Sequence, residues 1–105
     1  MAMKPILPSL REKKRYLKFT VSGDLPVREV KKAVLFSVRR FMGIDGSSRM
    51  GVFFIDLKGG EGIIRVNKDY VDHLKMALMM IKEINNTKVF FRTLAVSGIL
   101  DRVKG

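Results

Sequence analysis

The sequence predicts an α+β domain in which four antiparallel strands form one sheet and two helices cover one of its faces. Three observations support this prediction. Apolar and polar residues alternate over 15–21, apolar residues recur at helical spacing over 27–41 and 71–81, and a glycine-dense connector at 59–62 separates two further extended segments. The resulting order, β-α-β-β-α-β, is that of the split βαβ fold, also called ferredoxin-like or RNA-recognition-motif-like.

The first strand and the first helix carry the clearest patterns. A half-buried strand is predicted over 15–21, where Leu17, Phe19 and Val21 alternate with polar residues. Asp24 is expected to cap the first helix, Pro26 to lie in its first turn and Gly43 to end it. Its predicted core-facing stripe consists of Val27, Val30, Val34, Val38 and Phe41.

The second half of the chain supplies the rest of the sheet. Strands over 52–58 and 63–67 are expected to form a hairpin, because Gly59, Gly60 and Gly62 tolerate the positive φ angles of a tight turn. The second helix then carries the apolar positions Val71, Leu74, Ala77, Leu78 and Ile81.

The ends of this second helix are predicted from turn-forming residues. Asn67 or Asp69 is expected to cap its start, and Asn85–Asn86 to break it. Val89–Val96 is then the final strand, and 99–104 is a short tail that can become helical. The chain thus divides into a basic leader (1–14), a ferredoxin-like domain (15–98) and a tail (99–105).

Charge is the strongest compositional feature. The chain has 21 Lys and Arg residues against 10 Asp and Glu, a formal net charge of +11. Residues 1–49 hold 12 basic and 4 acidic side chains, whereas residues 50–105 hold 9 and 6. Heat-adapted proteins also have highly charged surfaces, but they enrich Glu together with Lys. The imbalance therefore predicts a polyanionic partner, and a nucleic acid above all.

Composition also bears on the other classes of function. The absence of cysteine excludes disulfides, thiolate zinc sites and a cysteine nucleophile. The sole histidine, His73, follows Asp69 and Asp72 at a spacing that could hold one ion, but a solvated helix face is the favoured interpretation. No apolar signal segment or membrane-spanning stretch is evident, so a soluble, cytoplasmic protein is expected.

Two surfaces are candidates for binding RNA. The sheet face opposite the helices is expected to stay open, and open sheet faces with aromatic and basic residues stack bases and hold phosphates. This face should display Tyr16, Lys18, Phe54 and Arg65, with Arg92 joining them if the register of the last strand permits. The third strand, Ile63–Val66, lacks the ring-rich signature of a standard RNA-recognition motif, which makes sequence-specific reading on the sheet doubtful.

The second candidate surface is the leader, where a capping box at Ser9–Glu12 predicts one short helical turn. Basic residues cluster around this turn and into the first strand, and the end of the first helix could bring two arginines close to them. Together the two surfaces give the candidate RNA-binding residues Arg11, Lys13, Lys14, Arg15, Tyr16, Lys18, Arg39, Arg40, Arg65 and Arg92.

Two segments make the chain resemble a known family. Leu7–Leu17 has the sequence Leu-Pro-Ser-Leu-Arg-Glu-Lys-Lys-Arg-Tyr-Leu, which is similar to the opening of the ribonuclease P protein component 2 family of archaea and eukaryotes. Thr93–Leu100 resembles the last strand of that family and its Ser-Gly-Thr-Ile ending, although Ile99 stands where the family has Thr. Element order and lengths between these segments also fit.

The resemblance implies a protein subunit of ribonuclease P, the RNA-based enzyme that removes the 5′ leader from precursor tRNA. It implies that magnesium is held by the catalytic RNA and that the protein has no catalytic site or bound cofactor of its own. The implied partners are ribonuclease P RNA, the barrel-fold protein component 3 and other ribonuclease P proteins, with self-association of two protein pairs into a heterotetramer.

A protein-partner surface is expected beside the RNA surface. Met76, Met79 and Met80 lie partly off the apolar stripe of the second helix, so they either form an adaptable contact surface or widen the core face. The loop predicted over 43–49, with Ile44 and Arg49, is the other candidate, although such loops are more often plain connectors.

Two other functions remain open from the sequence. A generic ferredoxin-like RNA-binding or protein-adaptor module would share the fold without the ribonuclease P role. An acylphosphatase-like enzyme would use the 22–28 loop, where Arg28 near a helix start could hold phosphate, but Asp24 would repel the anion and the glycine-valine pattern of such enzymes is missing.

Overall fold

The computed structural model of the protein describes residues 13–104. The helical turn predicted at Ser9–Glu12, and with it Arg11, lies outside the described residues. No helix within 13–104 combines the length and the apolarity needed to cross a membrane. The described elements, in chain order, are β1 (Lys14–Val21), α1 (Val27–Met50), β2 (Phe53–Lys58), β3 (Glu61–Asn67), α2 (Val71–Met79), β4 (Glu83–Ile84), β5 (Thr87–Lys88), β6 (Phe91–Ser97) and α3 (Leu100–Lys104).

Four of the strands form the main sheet, in the order β2-β3-β1-β6 with antiparallel neighbours. β1 therefore lies in the interior of the sheet, between the strand that ends the hairpin and the last long strand. This order and the two covering helices confirm the predicted ferredoxin-like fold. The short strands β4 and β5 pair only with each other, in a separate hairpin.

The core lies between the sheet and helices α1 and α2. Leu17 and Phe19 of β1, Ile64 of β3, Val34 of α1 and Leu74 of α2 are all fully buried in it. These positions follow the predicted periods of two in strands and of three to four in helices. The core is therefore largely the one that the apolar pattern predicted. Val27 and Phe41, expected in the core-facing stripe of the first helix, are exposed at 45% and 37%, so the stripe is limited to Val30, Val34 and Val38.

A buried hydrogen bond joins the two helices inside this layer. The Ser37 hydroxyl of α1 donates to the backbone carbonyl of Ala77 in α2, at 2.6 Å. Small side chains at a helix crossing allow this close approach, and the bond satisfies a hydroxyl that would otherwise be costly to bury. It fixes the middle of α1 against the last turn of α2.

Gly43 ends the first of the two helical segments that together form α1, as predicted, but the prediction of a loop over 43–49 is wrong. Its backbone (φ 78°, ψ 175°) is not helical, yet the chain turns into helix again and continues to Met50. Met50 is fully buried, so the second segment is held by packing that a local pattern does not reveal. Gly51 then ends the helix in the left-handed conformation, at φ 64° and ψ 41°.

The predicted helix caps are also wrong. Pro26, rather than Asp24, stands at the cap position of α1, and it makes no side-chain capping bond. A 3₁₀ turn over Lys68–Tyr70 precedes α2, and neither Asn67 nor Asp69 caps that helix. The Asn67 carboxamide instead donates to the backbone carbonyl of Arg49 at the end of α1.

The second half of the chain is more finely divided than predicted. The turn of the first hairpin is confirmed, with φ of 60° and 79° at Gly59 and Gly60. Helix α2 ends at Met79, and Asn85–Asn86, with φ of 50° and 67°, forms the two-residue turn of β4 and β5 rather than the end of a helix. The last strand accordingly begins at Phe91 instead of Val89. The tail forms the short helix α3.

Gly62 provides a stability test, because it leaves room for the core under the centre of the sheet. A Cβ atom at this position would lie 2.6 Å from Cζ of Phe19 and 2.8 Å from Cδ1 of Leu57. The Phe19 ring is fully buried and cannot yield without disturbing the core. We expect Gly62→Ala to lower the free energy of unfolding by about 1–3 kcal/mol in chemical denaturation. Ile44→Ala, at an exposed position, should change it by less than about 0.5 kcal/mol. Equal effects of the two variants would contradict this description of the core.

Candidate nucleic-acid interface

One row of side chains crosses the sheet on the face opposite helices α1 and α2. Arg65 of β3 is in register with Phe53 of β2 on one side and with Tyr16 of β1 on the other. Cross-strand partners point to the same face of a sheet, and the next residues along these strands, Phe54 among them, pack towards the helices. The Arg65 guanidinium carbon lies 5.0 Å from the centre of the Phe53 ring.

Phe54 was expected on this face, and that prediction is wrong. The ring of Phe54 packs against the core on the helix side, where the Lys31 ammonium lies 5.6 Å from its centre. The register with β3 decides the matter, because Phe53 pairs with Arg65 and Phe54 with the buried Ile64. Phe53 and Phe54 are both apolar, so the alternation of apolar and polar residues could not show which of the two faces away from the helices.

Further basic side chains extend along the same face. Lys18 of β1 lies two residues beyond Tyr16, and its ammonium is 3.8 Å from a carboxylate oxygen of Glu61. Arg92 of β6 is in register with Thr20 of β1, which places it on this face too, and its side chain is exposed. The register of the last strand, which the sequence left open, therefore places Arg92 beside the other predicted residues.

The face is not wholly open, contrary to the prediction. Ile63, in register with Lys18, points to this side and is only 5% exposed, and Val103 of helix α3 is 2% exposed. Helix α3 contacts β1 and β6, and Lys104 at its end lines a shallow groove with Ile63 and Lys18. An apolar residue on this face needs a cover, and α3 provides it. The row of Phe53, Arg65 and Tyr16 remains at one end of the face.

The described part of the leader is tied to the end of α1. The Lys14 ammonium donates to Oδ1 of Asn67 at 2.6 Å, and Nδ2 of Asn67 donates to the carbonyl of Arg49 at 2.6 Å. Nη1 of Arg15 donates to the carbonyl of Lys14 at 2.8 Å. Lys13 is exposed just ahead of β1. The start of β1 is thus fixed beside the C-terminus of α1, where positive charge is favourable.

The two arginines predicted from the first helix lie in the helix layer, on the other side of the sheet. Arg39 lines a groove beside Ser47 and Val52, and Arg40 lines a different one with Phe36 and Met80. The structure therefore separates Arg39 and Arg40 from Lys18, Arg65 and Arg92. The predicted RNA-binding residues do not form a single patch.

An exposed apolar surface lies on the outside of the helix layer. Met76 and Met79 of α2, and Met80 directly after it, are not core residues, and Met79 is 62% exposed. Phe36 of α1 is 66% exposed and lines the groove between the helices with Met80. We call these four residues the helix-layer apolar surface. Phe36 was missed from the sequence, although it is a large apolar residue off the Val30–Val34–Val38 stripe, which is the signal that would have found it.

The other predicted partner residues lie in the second segment of α1. Ile44, directly after the Gly43 break, is 79% exposed, and Arg49 is exposed near the end of the helix. The backbone carbonyl of Arg49 is held by Asn67. These side chains are therefore presented from a fixed helical segment and not from a flexible connector.

His73 is part of an aromatic contact. Its ring centre lies 5.3 Å from that of Tyr70 and 6.4 Å from that of Phe41. Within residues 13–104, no three His, Asp or Glu side chains are close enough to hold a metal ion together. The 22–28 loop is also unlike a phosphate cradle, because the exposed Arg28 is turned to Glu29, with Nε 3.8 Å from a carboxylate oxygen.

Comparison with known families identifies the fold and its lineage. The model of the Rpp14/Pop5 family matches residues 15–105. The chain belongs to the Rpp14/Pop5 family. This confirms the resemblance predicted from the two terminal segments.

Several relatives of this family member are archaeal proteins named ribonuclease P protein component 2. The one from Thermococcus kodakarensis is 46% identical over 101 residues, which are 92% of this chain and 84% of the relative. The one from Pyrococcus horikoshii is 35% identical over 106 residues, 97% of this chain and 88% of the relative. The similarity thus extends along nearly the whole of each protein.

A solved structure confirms the fold independently of sequence. A chain in the cryo-EM structure of yeast ribonuclease MRP superposes with a TM-score of 0.69, covering 83% of this chain and 75% of that one, at 13% identity. At so low an identity the likeness concerns the fold alone.

Proposed function

We propose that this chain is a protein subunit of ribonuclease P that binds and supports the catalytic RNA, which removes the 5′ leader from precursor tRNA. The observation that carries this proposal is the 46% identity over 92% of the chain to a protein of that name, within a family match over 15–105. Catalysis belongs to the RNA, with magnesium held by RNA groups, and the protein binds no cofactor. The site of action is the cytoplasm.

The RNA side of the protein is the sheet face together with the adjoining leader. Lys18, Arg65 and Arg92 project from this face, within a chain whose net charge is +11. Only Lys18 of these three has a carboxylate of residues 13–104 within ion-pair distance. Cations of this kind bind phosphates by releasing counterions, independently of base sequence. Lys13 and Lys14 extend the same charge ahead of Tyr16. The side chain of Arg15 begins on the helix side, in register with the buried Val66, and Arg11, which we include with the leader, lies outside the described residues.

The protein side is the helix layer. The helix-layer apolar surface is adjacent to Arg40 and Lys82, and exposed methionines suit contacts that adapt to a partner. We assign it to the barrel-fold protein component 3. Ile44 and Arg49, on the second segment of α1, are the contacts between two such protein pairs in a heterotetramer.

A protein adaptor is the second candidate, and the large helix-layer apolar surface is the observation that favours it. An adaptor would use that surface alone and would have little affinity for RNA. The charge imbalance, concentrated in the N-terminal half, argues for the RNA subunit. Direct RNA measurements separate the two.

The function is tested by cleavage of precursor tRNA. Ribonuclease P RNA is assayed at limiting magnesium with protein component 3 alone, and then with component 3 and this chain. We expect at least a tenfold rise in the cleavage rate on adding this chain, because bound cations stabilise the folded RNA when magnesium is scarce. No rise, with both proteins folded and associated, would contradict the proposal and favour the adaptor.

The RNA side is tested by the salt dependence of binding to ribonuclease P RNA. Replacing Lys18, Arg65 and Arg92 by Ala should reduce the slope of log K against log salt by about 2, since each phosphate contact contributes about 0.7–0.9. The matched control replaces Lys32, Arg39 and Arg40, which removes the same charge from exposed positions in the helix layer. That control should change the slope by less than about 1. A larger effect of the control would place the RNA on the helix side.

A further inference from the structure

We propose that Phe53 and Arg65 form a stacking site for one unpaired nucleotide of RNA on the sheet face. The inference rests on the proposed function and deepens it, because it assigns to the RNA side a contact with a base in addition to contacts with phosphates. The ligand class is a single-stranded segment or a flipped-out base, rather than a duplex, whose bases are already stacked on each other.

The geometry of the pair comes first. Phe53 is 55% exposed although it lies within a strand, and its partner Arg65 sits with the guanidinium carbon 5.0 Å from the ring centre. Cross-strand register fixes the two backbones side by side, and the ring and the guanidinium restrict each other. A rigid aromatic ring with one surface towards solvent is a platform onto which a base can stack without reordering the protein.

The state of Arg65 points to a missing partner. Its Nε is buried and makes no hydrogen bond, and no carboxylate of residues 13–104 lies within ion-pair distance of it. A guanidinium that is partly desolvated and uncompensated has unused capacity to bind an anion or a base edge. RNA offers both, since a base stacked on Phe53 brings its own phosphate within reach of the neighbouring cations.

The surroundings of Phe53 favour RNA over a protein. The helix-layer apolar surface combines four exposed apolar side chains. The residues near Phe53 on the sheet face are different: Arg65 and Tyr16 are in register with it across the strands, and Lys18 and Glu61 follow along the same face. An exposed phenylalanine whose neighbours are mostly charged or polar buries too little apolar area for a stable protein interface. Stacking a single base needs only the ring face.

The position of the site relative to the cations is consistent with a nucleotide chain. Lys18 lies two residues beyond Tyr16 along β1, which is about 7 Å in a strand. Arg92 lies one row further, beside Thr20. A strand of RNA with one base on Phe53 can therefore run along this face and meet a cation in successive rows. Helix α3 borders this path through Lys104.

The site is tested by direct binding. Because the chain has no tryptophan, an introduced tryptophan gives a fluorescence signal from this site alone. Phe53→Trp introduces a single indole at the site, whose fluorescence is quenched when a base stacks on it. The probe is an unpaired RNA of ten nucleotides, compared with the same strand annealed to its complement. We expect quenching by the unpaired RNA and little or none by the duplex at equal fractional saturation. Equal quenching by both would overturn the proposal.

Affinity measurements provide a second readout that does not depend on the indole. Phe53→Ala and Phe53→Leu should each weaken binding of the unpaired RNA roughly tenfold, because leucine retains apolar area but offers no ring. Phe53→Tyr should bind within about twofold of the original chain. Phe36→Ala, which removes an exposed ring from the helix layer, is the matched control and should leave the affinity unchanged. Loss of affinity with Phe36→Ala equal to that with Phe53→Ala would overturn the assignment.

The outcomes also separate this inference from the proposed function. If the chain stimulates precursor-tRNA cleavage but Phe53→Ala binds unpaired RNA normally, the stacking site is wrong and the ribonuclease P role stands. If Phe53→Ala weakens binding to unpaired RNA but the chain has no effect on cleavage, the stacking site stands and the ribonuclease P role is wrong.

Discussion

The alternation of side chains along β1 is the constraint on which the rest of the structure depends. β1 is paired on both edges, and its residues Tyr16–Thr20 are held in register with β3 on one side and β6 on the other. Leu17 and Phe19 enter the core, while Tyr16 and Lys18 face the opposite side. A slip of one residue would exchange these two sets and would bury charge in place of the apolar core. The position of the side chains on the sheet face is therefore fixed by the same burial that holds the helices.

This arrangement gives the protein two chemically different sides. On the helix side, Phe36 and the exposed methionines leave apolar surface uncovered outside the core. On the sheet side, the exposed ring of Phe53 lies among cations, and helix α3 packs on β1 and β6 beside the buried Ile63. Under the proposed function, these two sides would let the subunit hold RNA and protein at once.

The sequence predicted the fold because long periodic segments determine it, and the failures lie where local patterns compete with distant packing. Gly43 stops the first helical segment, but the residues after it form a second helical segment instead of a loop, and this segment is held by the burial of Met50. Asn67 precedes a helix as a capping residue would. Its amide instead donates to the carbonyl of Arg49 and accepts from the ammonium of Lys14, and both residues are distant in sequence. Phe53 and Phe54 are adjacent and equally apolar, so only the register with β3 decides which one lies on the sheet face opposite the helices. The sequence thus predicted which basic and aromatic residues are candidates. Which side of the sheet each one occupies could be known only from the strand pairing and the position of the helices.

The central claim is that RNA lies on the sheet side and protein on the helix side, and site-directed crosslinking tests it most directly. The chain has no cysteine, so Thr20→Cys on the sheet face and Met79→Cys on the helix layer each accept one photoreactive probe. In particles reconstituted with ribonuclease P RNA and protein component 3, the probe at position 20 should crosslink to RNA and the probe at position 79 to protein. Crosslinks to RNA from position 79, with protein captured from position 20, would contradict the account.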